Sequence, residues 1–172
     1  MAPLGVFGAR YRANLTFEQA AALPVAGLTA LQGLRDQGRV QPGQKVLING
    51  AAGGVGTFAV QIAKSFGAEV TGVCASTSVN LVRSIGADHV IDYTSDDFSR
   101  RAQRYDVVFD CVGNRPLSAY RRVMTPGGIF VLVGVRMNGR WVGPLPHLLR
   151  LLLSSRFGSQ KASFGLQVQR GG

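Results

Sequence analysis

Cysteine and histidine are scarce in this chain, with two of each among 172 residues. Cys74, Cys111, His89 and His147 do not fall into a metal-ligand spacing, so no zinc or other metal is expected. The thiols read as reduced residues at the ends of two strands. Acidic residues are also few, nine against nineteen basic ones, for a net charge of +10. The excess lies in residues 98–172, with twelve basic and two acidic residues, while residues 1–97 sum to zero. A basic half raises nucleic acid as a partner. Here the arginines are scattered, form no stripe and have no aromatic residues interleaved for base stacking. Nucleic acid is therefore not expected. Long apolar runs are missing too. None approaches the roughly 20 residues that span a bilayer, and Arg150 interrupts the leucines at 148–153. No membrane partner is expected, and the N-terminus lacks the basic-then-apolar layout of a secretion signal. Cytoplasmic placement follows as the default. The chain also lacks a convincing catalytic cluster. Asp92, Asp96 and Asp97 read as a solvated turn, His89 as structural, His147 as a helix cap and Tyr120 as packing. The catalytic residues are left unassigned.

With 46% hydrophobic and 16% charged residues, the chain reads as one globular domain with a real core. Its most informative segment is Val46-Leu47-Ile48-Asn49-Gly50-Ala51-Ala52-Gly53-Gly54-Val55-Gly56. A buried strand runs into a glycine-rich turn, and the turn opens a helix. Gly53 and Gly54 admit the close approach of backbone N–H groups to phosphate oxygens. Gly56 lets the helix pack close to the strand. The first turn of the helix directs unpaired N–H groups and a positive dipole end at an anion. Val55, Phe58, Ala59, Ile62, Ala63 and Phe66 recur at helical spacing, and Gly67 stops the helix. With a strand at Glu69–Cys74, residues 45–74 form one right-handed βαβ unit suited to a dinucleotide.

The alternation continues. A capping box at Thr16–Gln19 starts a helix that Pro24 kinks or restarts and Gly38 ends. Val79–Ile85 reads as a short helix, His89–Tyr93 as a strand and Asp96–Gln103 as a polar helical link. Tyr105–Cys111 is a buried strand and Leu117–Met124 a helix. A turn at Thr125–Gly128 precedes the apolar strand Ile129–Val135. Pro146–Ser154 is a leucine-rich helix, and Phe157–Phe164 a candidate sixth, edge strand. The class is α/β: a Rossmann-type, doubly wound parallel sheet of five to six strands with helices on both faces. Residues 1–15 and 165–172 read as irregular segments flanking the domain at 16–164.

Taken together, these motifs resemble the coenzyme domain of medium-chain dehydrogenases/reductases, in the zinc-free quinone oxidoreductase (zeta-crystallin-like) branch. The resemblance rests on Leu23-Pro24-Val25-Ala26-Gly27-Leu28-Thr29-Ala30, the glycine loop, Leu81–Tyr93, Tyr105–Gly113 and Leu132-Val133-Gly134. It implies that Gly50, Ala52, Gly53, Gly54, Val55 and Gly56 form the pyrophosphate loop. Thr29 would lie near the nicotinamide. Val112, Gly113 and Asn114 would line the adenosine and ribose groove. Gly134 and Val135 would meet the carboxamide through backbone atoms. No acid follows the second strand to repel a 2′-phosphate. Ser76, Thr77 and Ser78 offer hydroxyls there, and Tyr93 stands where the family places a tyrosine, although the family's lysine is replaced at about Ser78. The expected cofactor is NADP(H) rather than NAD(H), without zinc.

The resemblance also implies an absent GroES-like catalytic domain, so one wall of the substrate cleft is missing. Three readings stay open. One is an NADPH-dependent oxidoreductase that transfers hydride to a quinone or carbonyl, as a fragment of a longer enzyme. The second is a non-catalytic dinucleotide-binding module, and the third an inactive truncated product. A homodimer through the sheet edge at Phe157–Phe164 is expected as well.

Overall fold

A computed structural model describes the backbone of residues 17–134 and 161–164, and the side chains of residues 25–134. Strands β1 (Lys45–Asn49), β2 (Glu69–Cys74), β3 (His89–Asp92), β4 (Tyr105–Asp110), β5 (Met124–Leu132) and β6 (Lys161–Phe164) form one sheet. Its order is β3-β2-β1-β4-β5-β6, and every pairing is parallel. Helices are α1 (Phe17–Gln32), α2 (Gly54–Ser65), α3 (Val79–Ser84) and α4 (Leu117–Arg122). Strand order reverses between β1 and β4, which opens a crevice at the carboxyl ends of those strands.

The pleat of β1 explains why helices cover both faces. Val46 and Ile48 join a cluster with Leu34, Val60, Val82 and Phe109, on the side of α1, α2 and α3. Leu47 points the other way, to Val108, Tyr120 and Phe130, beneath α4. All three β1 side chains are fully buried, as a central parallel strand requires. The six-strand α/β architecture thus agrees with the sequence reading.

Several local expectations change. Helix α1 runs through Pro24 without interruption, then widens into a π-helical turn at Gly33–Gln37. It ends at Gly38 as expected, although with φ −72° rather than a left-handed conformation, and the Gly38 N–H donates to the Gly33 carbonyl at 2.8 Å. The left-handed residue is Arg39, at φ 48°, and the Val40 N–H closes the end on the Leu34 carbonyl at 3.0 Å. Gly38 is small for another reason: an added Cβ would stand 3.2 Å from Val107 Cγ1. The polar link at 96–103 contains only a single 3-10 turn, Phe98–Arg100. The turn expected at 125–128 is a bulge within β5, since Tyr105 pairs Met124 while Val107 already pairs Ile129. The leucine-rich helix at 146–154, Val135, His147, residues 157–160 and the capping residue Thr16 lie outside the described residues.

Gly33 sets how close α1 comes to the sheet, because a Cβ there would lie 2.5 Å from Cε2 of the fully buried Phe109. In an open helix, alanine would gain about 1 kcal/mol over glycine. Here Gly33→Ala is expected to cost about 1–3 kcal/mol by overpacking. Gly127→Ala, with nothing within 4 Å, is expected to change stability by less than about 0.5 kcal/mol. Urea unfolding midpoints of the two variants check the contrast.

Candidate functional site

The crevice is built from the ends of β1, β2, β4 and β5 and has a volume of about 650 Å³. Its floor begins where β1 stops. Gly50 adopts φ 82°, a conformation that glycine takes without strain. The Gly50 and Ala51 N–H groups both donate to the Val73 carbonyl, at 3.1 and 3.0 Å, which pins the loop to β2. The Gly53 N–H returns to the Gly50 carbonyl at 3.0 Å. Helix α2 then starts on Gly53, and no side chain caps its first turn.

The four loop glycines serve different needs. A Cβ on Gly56 would sit 2.1 Å from the Gly50 carbonyl oxygen, and one on Gly50 would sit 2.7 Å from Val112 Cγ2. Those two positions hold the backbone together. A Cβ on Gly53 would be 3.3 Å from the Gly50 oxygen, while one on Gly54 would meet nothing within 4 Å. The open space lies over the start of α2, where backbone dipoles favour an anion.

The far wall depends on Asp110, which is fully buried. Its Oδ1 accepts from Asn49 Nδ2 at 2.9 Å and from the Val112 and Gly113 N–H groups at 2.9 and 3.1 Å. Its Oδ2 accepts from the Tyr120 hydroxyl at 2.6 Å. Asn49 Nδ2 also lies 3.2 Å from Asn114 Oδ1. The chain after β4 is thereby held against β1. Burial first, and then neighbouring Asp110, push the Tyr120 hydroxyl far above the usual phenol range, so Tyr120 stays protonated and structural. Just beyond β5, the Val133 N–H donates to the Asp110 carbonyl at 2.9 Å. A Cβ on Gly134 would be 2.1 Å from the Cys111 oxygen.

At the other end, Ser76 donates to Asp92 Oδ2 at 2.5 Å, and Thr94 donates through N–H and hydroxyl to Asp92 Oδ1 at 2.9 and 2.7 Å. These bonds, Ser76 first, hold the Asp92 carboxyl below the usual carboxylate range. The parallel register pairs Cys74 with Asp92. Pairing of β3 therefore brings an acid beside the end of β2, a neighbour not seen when that segment is read alone.

Of the residues singled out from sequence, Gly50, Ala52, Gly53, Gly54, Val55 and Gly56 line the crevice. Ser78, Tyr93, Val112, Asn114 and Gly134 line it as well. Ser76, Thr77 and Gly113 are not in its lining, and Gly113 serves instead as a donor to Asp110. The Thr29 hydroxyl donates to the Val25 carbonyl at 2.6 Å. The lining also includes Asn49, Cys74, Ala75, Phe98, Cys111, Arg115 and Val133, which sequence reasoning had not assigned to it. Cys74 and Cys111, at strand ends, were the legible signal. His89 pairs with Glu69 at 3.2 Å on the sheet edge, away from the crevice. Asp96 pairs with Arg101, and Asp97 with Ser99 and Arg115. Among the described residues, no group of three or more His, Cys, Asp or Glu is placed to hold a metal. None of their helices is long and apolar enough to cross a membrane.

The crevice fits a phosphate-bearing nucleotide: it offers about 650 Å³, an uncapped helix start and space at Gly54. Burial, then Asp110, push the Cys111 thiol up to about 12, so it stays neutral at pH 8. Iodoacetamide at that pH is expected to label Cys111 at least about 100-fold more slowly than in the urea-unfolded chain, where an ordinary thiol is partly ionised. Mass spectrometry of the labelled peptide gives the rate. The stability linked to this raised value is complete below the unfolded thiol pKa and is lost as pH rises toward 12.

Comparison with known proteins agrees with this geometry. Residues 54–159 match the family model described as zinc-binding dehydrogenase. A zinc-type alcohol dehydrogenase-like protein of Schizosaccharomyces pombe is 40% identical over 134 residues, covering 76% of this chain and 39% of that protein. The structure of the CurK enoyl reductase superposes with a TM-score of 0.75 at 29% identity, over 91% of this chain and 46% of that one. A quinone oxidoreductase from Coxiella burnetii gives a TM-score of 0.74 at 30% identity, over 92% of this chain and 47% of that one. The chain spans less than half the length of these relatives. It belongs to the zinc-binding dehydrogenase family, within the quinone oxidoreductase-like branch of the medium-chain dehydrogenases/reductases, and corresponds to their nucleotide-binding domain.

Proposed function

We propose that this chain binds NADPH in preference to NADH and positions it for hydride transfer to a quinone or carbonyl carbon. The observation that carries the reading is the crevice at the strand-order switch point, with its open space at Gly54 over the uncapped start of α2. The reduced nicotinamide, when bound, supplies the hydride. The chain's own residues bind and orient. The loop from Gly50 to Gly56 would hold the pyrophosphate through backbone N–H groups. Val112 and Asn114, fixed by Asp110 and Asn49, would bound the adenosine groove. Gly134, and Val135 after it, would meet the carboxamide through backbone atoms. Thr29, on α1, would lie toward the nicotinamide. Ser76, Thr77, Ser78 and Tyr93 would surround the 2′-phosphate, and Ser78 and Tyr93 are the two of these that line the crevice. No zinc takes part in this reading. The free cysteines suit a reducing compartment, the cytoplasm.

The roles given to the described crevice residues are binding and orientation, which also fits a second reading, dinucleotide binding without turnover. Calorimetric titration with both cofactors, followed by a quinone reduction assay, separates the possibilities. NADPH binding at least about threefold tighter than NADH, with turnover, is expected. Equal affinities would overturn the cofactor preference, and binding without turnover would favour the second reading. Gly54→Val is expected to leave the melting temperature within about 2 °C, because its side chain enters open space, and to weaken NADPH binding at least about tenfold by filling phosphate space. Retained affinity would show that the loop does not hold the pyrophosphate.

Among the described residues the sheet ends at β6, whose outer edge offers backbone groups for strand pairing. We propose a homodimer formed there, across a two-fold axis. Light scattering is expected to give twice the chain mass, and a monomer at working concentration would refute the dimer.

A further inference from the structure

Arg115 is the one charged side chain among the described residues that line the crevice. It lies in the loop between β4 and α4, far in sequence from the end of β2. Its Nη1 donates to Asp97 Oδ2 at 3.2 Å, and its guanidinium carbon stands 6.0 Å from the ring centre of Phe98. Phe98 is buried, so the ring is a fixed platform for the cation. Asp97 does not neutralise Arg115. The same carboxyl has Arg100 at 3.8 Å and accepts from the Ser99 N–H and hydroxyl at 3.0 and 2.8 Å. Two cations thus share one acid. A guanidinium carries five N–H donors, and the described contacts of Arg115 occupy one of them.

The wall that follows β2 lacks positive charge. The segment after β2, Ala75-Ser76-Thr77-Ser78, has no basic residue. Arg83 on α3 is exposed and outside the crevice lining. Asp92, next to Tyr93, is held by Ser76 and Thr94, and its charge opposes any phosphate monoester nearby. A doubly charged phosphate in that part of the crevice needs a cation, and Arg115 is the one that the lining offers.

Resting on the dinucleotide reading above, we infer that Arg115 pairs with the adenosine 2′-phosphate of the cofactor and is the specificity-determining residue of the site. It makes charge-assisted hydrogen bonds from the β4–α4 loop rather than from the end of β2. Asp97 and Phe98 hold it in place.

The test is calorimetric titration of the full chain and of Arg115→Gln with NADPH and with NADH. Arg100→Gln is the control, since it removes a charge from the same acid at a site outside the crevice lining. For Arg115→Gln, NADPH affinity is expected to fall about tenfold and NADH affinity to change less than about twofold. Arg100→Gln is expected to change both by less than about twofold. Equal losses for the two cofactors, or no loss, would overturn the assignment. Should Arg115→Gln fail to fold, Arg115→Lys keeps the charge and is expected to hold the NADPH-to-NADH ratio within about threefold; collapse of that ratio to the same extent with folded protein would also overturn it, since a lone ammonium still pairs with phosphate. A parent chain that binds NADH more tightly, yet shifts its ratio about tenfold on Arg115→Gln, would sink the NADPH preference and leave the role of Arg115 standing. A parent chain that binds neither cofactor overturns both.

Discussion

Asp110 ends β4 fully buried, and no cation pairs with it among the described contacts. Four donors satisfy its side chain instead. They come from β1 (Asn49), from the loop that follows β4 (Val112 and Gly113) and from α4 (Tyr120). Its carbonyl receives the Val133 N–H beyond β5. Burying a carboxyl without partners would be costly, so these groups are obliged to converge. One residue thereby sets the position of β1, β4, β5 and α4 relative to each other at the mouth of the crevice. The crevice exists because strand order reverses at β1 and β4, and it keeps its shape because Asp110 ties that junction.

Close backbone approach is the second constraint. Gly50 and Gly56 are in van der Waals contact with their surroundings, so that α2 starts almost on the end of β1. Gly53 and Gly54 leave the space above free. A single run of glycines therefore both packs and makes room. The same division recurs elsewhere. Gly33 and Gly38 let α1 approach Phe109 and Val107, and Gly134 lets the end of β5 pass Cys111. Gly67, by contrast, has φ 77° and serves the turn between α2 and β2.

What could be read in advance was local. The apolar run of β1, the helical spacing of Val55 to Phe66 and the stop at Gly67 each depend on neighbours a few positions away. They specify strand, helix and turn wherever the domain places them. The errors arose where distant contacts decide. Gly38 ends the helix as its sequence suggests, yet it is the clearance from Val107 that requires a small residue there, and Arg39 takes the left-handed position. Thr125-Pro126-Gly127-Gly128 reads as a turn, yet pairing with β4 on both sides absorbs it as a bulge. The polar stretch at 96–103 has little apolar periodicity, and what orders it is Phe98 beneath Tyr120 and Arg115.

The site divides in the same way. The sequence alone determined the glycine-rich loop, the alternating α/β class and the strands whose ends border the crevice, because these follow from short-range sterics and periodicity. Only the tertiary structure decided which side chains meet in the crevice. Asn49, Asp110 and Tyr120 lie on three separate elements. Asp92 reaches the end of β2 through strand register, and Arg115 meets Phe98 across the gap between the chain after β3 and the chain after β4. Each of these junctions depends on loop closure between distant segments. No local preference encodes such closure, and only the packed sheet supplies it.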